Sequence, residues 1–330
     1  MVLSATVAAV GSGPVAAADS KAGWAAAAVR FEPVGGGADG LTVAGTGTYR
    51  GAVEVRRHGR ALAVVNHLGL EEYVRGIDEV PPSWPAAVLQ AQAIAARTYA
   101  AHKVAGQEAA WRAVGADICA TPRCQVYRGL EAERKAQGYG WLAAVEATAG
   151  RALLAGGRPI MASYSATANG PRAMSQNGAL EMARQGRSAT EILSAYYDGI
   201  RPTQAADRLP ATIRVALSTS ASTVRISAAV PFRVVDGGGT QLAAAGGAGE
   251  WRVVTDAGGV RVVPPESHQD VDPAGEPVGD PVAARRPGRA LTAASVPGAG
   301  PVRGVTASLA LALVVVAGAA AITLSRRRDA

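Results

Sequence analysis

Residues 73–103 read YVRGIDEVPPSWPAAVLQAQAIAARTYAAHK, and the fold turns on how that stretch divides. Tyr73 to Pro82 is a turn-rich entry carrying two adjacent acids, Asp78 and Glu79, ahead of Pro81-Pro82. A residue that precedes proline avoids the α region, so Val80 and Pro81 are extended and no helix begins there. From Ser83 onward the pattern is helical. Ser83 is an N-cap residue type, and Pro85 falls in the first turn, where proline costs little. Ala86 to Ala101 holds eight alanines and no glycine, the best composition for intrinsic helix propensity.

That helix presents three stripes at helical spacing: Trp84, Val88, Ala91 and Ala95; Gln90, Ile94, Arg97 and Ala101; Gln92, Ala96, Tyr99 and Lys103. Alanine on every side lets neighbouring backbones come close, which predicts an inner helix. Gln90, Gln92 and Arg97 are then partly buried and need partners. A polar-lined helix entered through a glutamate-bearing turn suits a sugar-binding active site. It suits a structural cap equally.

Strands surround it. Val29 to Val65 alternates short apolar runs with glycine turns at hairpin spacing. Trp141 to Ala149 reads as a helix ended by Gly150, and Arg151 to Ser165 as a hairpin whose second strand runs Ile160 to Ser165. Thr212 to Val263 repeats short alternating strands with glycine-rich turns, an all-β accessory unit by pattern. Arginine recurs on its outward positions at Arg214, Arg225, Arg233, Arg252 and Arg261, a solvated face or an adhesive one. The fold class is therefore α+β: N-terminal strands packed with a central alanine-rich helix, then the small β unit over 211–265.

The chain has 330 residues and a formal net charge of +7. Nucleic acid is not the expected partner, because aromatics are 5% and no basic cluster is interleaved with them. An anionic wall polymer or a membrane surface accounts for the excess as well. Residues 1–18 resemble a signal peptide, with Val15-Ala16-Ala17-Ala18 as a cleavage site. Residues 266–303 are rich in proline, glycine and acids and read as a flexible linker. The uncharged run over 304–324 is long enough to cross a bilayer, and Arg326-Arg327-Arg328 keeps the tail, 325–330, cytoplasmic. The expected placement is a single-pass membrane protein whose body faces the cell wall.

The cysteines, Cys119 and Cys124, lie five residues apart. In an exported protein such a pair forms a small-loop disulfide. A zinc site with His102 is the alternative, and it is short of ligands, since a closed site wants four and no second pair exists.

From Tyr73 through Ala100 the sequence resembles the signature of the stage II sporulation protein D (SpoIID/LytB) family, and the preceding Asn66-His67-Leu68-Gly69-Leu70 matches it too. The resemblance implies a lytic transglycosylase acting on peptidoglycan glycan strands, with Glu79 as the catalytic acid/base; no cofactor or metal is expected. It also implies substrate contacts from Arg97, Tyr99 and Gln125, and from Ser163, Tyr164, Ser165 and Asn169 in a polar strand end that lines the family's glycan groove. The domain spans 29–200 on this reading. Residues 174–179, MSQNGA, resemble the family's closing motif, but Gly170-Pro171-Arg172-Ala173 stands where that motif has Gly-His-Gly-Val-Gly. The loss opens a second function: a non-catalytic glycan-binding protein, or one that enhances a partner amidase, as some members do.

A single acid fits a lytic route, whereas hydrolysis needs a second carboxylate at a defined distance. Asp78 does not supply it, since neighbours on an extended segment point opposite ways. Glu79 must hold its proton near neutral pH. Burial would favour that, while Arg97 and the nearby helix N-terminus oppose it. A dry wall of Pro81, Trp84 and Tyr99 is the expected source of burial.

Overall fold

The computed structural model describes residues 23–35, 40–246 and 249–266. The signal-like segment, nearly all of the linker, the apolar run over 304–324 and the tail lie outside these residues. Among the described residues no helix is long and apolar enough to cross a membrane.

The described chain is mixed α and β, with seven α-helices and two large sheets. The seven-stranded sheet runs in the order Gln241–Ala245, Phe232–Asp236, Ala28–Pro33, Ala52–His58, Ala61–Gly69, Thr212–Ala221 and Ile118–Cys119. The six-stranded sheet runs Trp24–Ala26, Gly259–Val263, Trp251–Asp256, Thr223–Ala228, Leu41–Val43 and Gly47–Tyr49. One apolar core contains the inner faces of both. At its centre the ring of Trp251 meets Phe232 edge-on at 5.6 Å and Phe31 at 6.3 Å, and all three are fully buried. Each such side chain contributes about 1.5–3 kcal/mol of hydrophobic stabilisation.

This arrangement corrects the expectation of a separate β unit over 211–265. The strand Thr212–Ala221 pairs antiparallel with Ala61–Gly69, Phe232–Asp236 with Ala28–Pro33, and Thr223–Ala228 with Leu41–Val43. The C-terminal strands complete both N-terminal sheets. The physical reason is burial: Phe31 and Val55 on one set of strands need Phe232, Val234 and Trp251 on the other to close their core.

Helix α1 spans Leu70–Arg75 and α2 spans Ala86–Gly106. Pro85, not Ser83, occupies the N-cap position of α2, and its carbonyl receives the amides of Val88 and Leu89. The inner-helix expectation holds: every residue from Ala91 to Thr98 is buried. Leu89, Ala93, Ala96 and Ala100 face the sheet core. Val88, Ala91, Ile94 and Ala95 face a second core built with Ile192, Leu193 and Tyr197. Four short helices follow before the last strands: α3 (Ala109–Arg112), α4 (Leu130–Lys135), α5 (Gly140–Ala147) and α6 (Gln176–Arg184). The seventh, α7, is Ala189–Tyr196, opened by a capping box between Ser188 and Glu191.

The hairpin after α5 is shorter than its pattern. Leu154–Ala155 pairs with Arg158–Pro159 across Gly156 and Gly157, whose φ angles of 56° and 77° suit a primed two-residue turn. The second strand does not continue to Ser165. Tight turns at Ile160–Ala162 and Met161–Ser163 redirect the chain, and Ser163–Ser165 pairs parallel with Ala173–Ser175 instead.

Candidate functional site

Glu79 sits where two chain segments are pinned together. Ile77 bridges Tyr127 in antiparallel fashion, the amide of Asp78 donates to Val126 O at 2.9 Å, and the amide of Arg128 donates to Gly76 O at 2.8 Å. The next amide in line, Val126 N–H, donates to Glu79 Oε1 at 2.5 Å. The carboxyl is thus held by backbone. Gly76 permits the approach: a Cβ there would lie 2.5 Å from the Tyr127 ring and 2.9 Å from Gly129 Cα. Gly76→Ala is therefore expected to destabilise by about 1–3 kcal/mol, as overpacking does. A denaturant melt checks it.

Glu79 is half-buried, and burial is the largest influence on it. Burial raises its pKa above the usual carboxylate value, the Val126 hydrogen bond pulls the other way, and the charge of Asp78 adds to the rise. The net shift is upward, as an acid that must keep its proton requires. Asp78 does not compete for the same partner, because its Oδ1 accepts from Lys135 Nζ at 2.7 Å.

The wall beside Glu79 differs from the expected one. Pro81 is exposed, and Trp84 packs at the edge of both cores. Of the expected wall Tyr99 is retained, and two further tyrosines join it. Glu79 raises the pKa of Tyr73, Tyr99 and Tyr164, each already raised more strongly by burial. Tyr99 and Tyr164 lie 6.4 Å apart between ring centroids, and the Tyr73 ring meets that of Tyr127 at 4.9 Å, tilted by 31°. Gln125 joins this group: it is fully buried, accepts from Tyr73 Oη at 2.8 Å, and donates to Tyr164 Oη at 2.6 Å.

Five of the expected substrate residues therefore fall into two sets. Tyr99, Gln125 and Tyr164 gather around Glu79. Ser163 and Ser165 flank Tyr164 on its short strand, where Ser163 O accepts from Tyr197 Oη at 2.8 Å and Ser165 is exposed. Asn169 is exposed in the loop that joins the two parallel strands. Arg97 is a correction. It has no accessible surface, and its guanidinium is bound by Glu71 at 2.8 and 2.7 Å and by the carbonyls of Arg151 and Val145. A side chain so enclosed braces the helix and cannot meet a ligand. Sequence reasoning missed Tyr73, and it missed Glu71 as the partner that the buried arginine demanded.

Cys119 and Cys124 are joined in a disulfide, and Gln125 and Val126 follow immediately. The bridge therefore anchors the segment that binds Glu79 and Tyr164. His102, the third ligand of the zinc alternative, has its Nδ1 3.0 Å from Pro159 O. Replacing both cysteines with serine is expected to cost about 2 kcal/mol for so short a loop. Equilibrium unfolding in urea, with and without reductant, measures it.

With this geometry in view, comparison with known proteins places the segment. Residues 58–154 match the SpoIID family, described as stage II sporulation protein. The chain carries a SpoIID domain there, and that segment contains the Glu79 turn, α2 and the disulfide loop. A protein of Brachyspira hyodysenteriae described as uncharacterized is 37% identical over 95 residues, 28% of this chain and 25% of that one. Stage II sporulation protein D of Bacillus subtilis is 32% identical over 115 residues, 32% of this chain and 34% of that one. The chain thus spans about a quarter to a third of the length of these curated relatives.

Proposed function

We propose that this chain remodels the cell wall by lytic cleavage of peptidoglycan glycan strands, with Glu79 as the one acid/base. The observation that carries the proposal is a single half-buried carboxyl, its pKa raised by burial, one oxygen held by Val126 N–H and the other without a partner among the described residues. Protonated Glu79 gives its proton to the glycosidic oxygen as the C1–O bond breaks and its electron pair leaves with that oxygen. The resulting carboxylate takes the C6 hydroxyl proton while the O6 lone pair bonds to C1. A 1,6-anhydro-muramyl end results, Glu79 recovers its proton, and no water is consumed. Tyr99, Tyr164, Ser163, Ser165 and Asn169 are the proposed sugar contacts. A tie to sporulation rests on the name of the Bacillus subtilis relative. A membrane-anchored, wall-facing placement rests on the apolar run over 304–324.

The second reading is glycan binding without cleavage, or enhancement of a partner amidase. It is favoured by one observation: residues 166–172 alone join Ser163–Ser165 to Ala173–Ser175, and Gly170-Pro171-Arg172-Ala173 stands where the family motif has Gly-His-Gly-Val-Gly. Incubating the protein with peptide-free glycan strands and analysing products by mass spectrometry separates the two. Anhydro-muramyl ends support cleavage; binding with no such ends selects the second reading.

A further inference from the structure

Every polar atom of the Gln125 side chain is engaged, and the way it is engaged has a direction. Its amide nitrogen lies 3.2 Å from Ala96 O. A carbonyl only accepts, so this contact fixes which end of the amide carries the hydrogens. The second Nε2 hydrogen goes to the Tyr164 hydroxyl oxygen at 2.6 Å, and Oε1 receives the Tyr73 hydroxyl at 2.8 Å. Tyr164 is an acceptor toward Gln125, so its own O–H proton points elsewhere. Among the described residues no acceptor receives that proton. Burial and then the Glu79 charge push the Tyr164 phenol far above its usual range, so it stays a donor at any working pH. Tyr164 is half-buried, its ring lies 6.4 Å from that of Tyr99, and both tyrosines feel the Glu79 charge.

We propose that Gln125 is a positioning residue that turns the Tyr164 hydroxyl proton outward, making Tyr164 a fixed hydrogen-bond donor to an acceptor oxygen of the sugar held against Glu79. The proposal rests on the glycan-cleaving reading above and adds an orientation to it. Tyr73 completes the relay from behind, since its hydroxyl occupies the only acceptor Gln125 has to offer. Without Gln125, the Tyr164 hydroxyl is free to rotate and the sugar loses one fixed contact.

The test is Tyr164→Phe in the full chain, assayed on peptide-free glycan strands. The ring and its packing are retained, so thermal stability should change little while kcat/KM falls about tenfold, the worth of one hydrogen bond. Gln125→Ala should lower kcat/KM by a similar factor. In the Tyr164→Phe background it should add no further loss, because the proton it orients is gone. A merely structural glutamine would lower activity equally in both backgrounds. Wild-type kcat/KM in Tyr164→Phe overturns the proposal and leaves the cleavage reading standing wherever Glu79→Gln is inactive. If the wild type yields no anhydro ends, the cleavage reading fails, and affinity for the same strands becomes the readout. Tyr164→Phe must then bind about tenfold more weakly, and equal affinity overturns the inference.

Discussion

Glu79→Gln is expected to cut release of anhydro-muramyl products by about 10²–10⁴-fold, the usual contribution of a general acid/base. Glutamine has nearly the same shape, and its carbonyl oxygen still accepts the Val126 amide that Glu79 Oε1 holds. What is lost is the proton. The same substitution should leave stability unharmed or improved near neutral pH. The folded-state pKa of Glu79 is raised, chiefly by burial, above the ordinary value of 4.5. Below that ordinary value both folded and unfolded chains hold the proton, and ionisation costs neither. As pH rises through and beyond it, the unfolded chain ionises more readily than the folded one, so native stability declines over that window. Glu79→Gln removes the decline. Its stability relative to wild type should therefore be greater at pH 7 than at pH 4, as read by urea unfolding at both. Equal product release by the two proteins would remove Glu79 from the mechanism, and identical pH trends in stability would remove the buried proton.

The central helix was legible because composition and period agree: eight alanines between Ala86 and Ala101 serve both high propensity and close packing on all sides. The turn at Glu79 was legible because two prolines forbid helix there. The completion of both sheets by residues 212–263 was not. Alternation identifies a strand and which residues share a face, but the partner strand is set by long-range burial, as in the meeting of Phe31 with Phe232 and Trp251. Local pattern likewise could not see that the chain bends at Ile160–Ser163 and that Tyr164 finds its strand partner at Met174.

In the site, residue type pointed to the right neighbourhood and sometimes to the wrong role. Arginine near a glutamate in a sugar-binding domain reads as a ligand contact, yet Arg97 is buried along with its stripe-mates Ile94 and Ala101. The sequence carries a signal for this, since an arginine on an alanine-rich inner helix needs an acid of its own. Glu71, at the start of α1, is that acid. The tyrosines around Glu79 were out of reach of local pattern, because Tyr73, Tyr99 and Tyr164 come from three separate segments and only the fold brings them together.

The Glu71–Arg97 pair should show the largest stability effects in the molecule, and they should be unequal. Arg97 is fully enclosed, whereas the Glu71 side chain is 41% exposed. Removing the acid in Glu71→Ala leaves a buried cation with only the carbonyls of Arg151 and Val145, at 3.3 and 3.4 Å, as partners. It also deprives the Gly150 amide of its acceptor, Glu71 Oε1 at 3.0 Å. Breaking a buried pair from one side costs about 3–5 kcal/mol, because the surviving charge has lost its compensation. Removing the cation in Arg97→Met is gentler: methionine fills most of the space, and Glu71 can turn to water. That variant should lose less than Glu71→Ala, and the double variant less than the sum of the two, since the stranded charge is then absent. Denaturant unfolding of the three variants measures each difference. An Arg97→Met loss equal to or greater than that of Glu71→Ala would mean that packing, and not the uncompensated buried charge, dominates this corner of the fold.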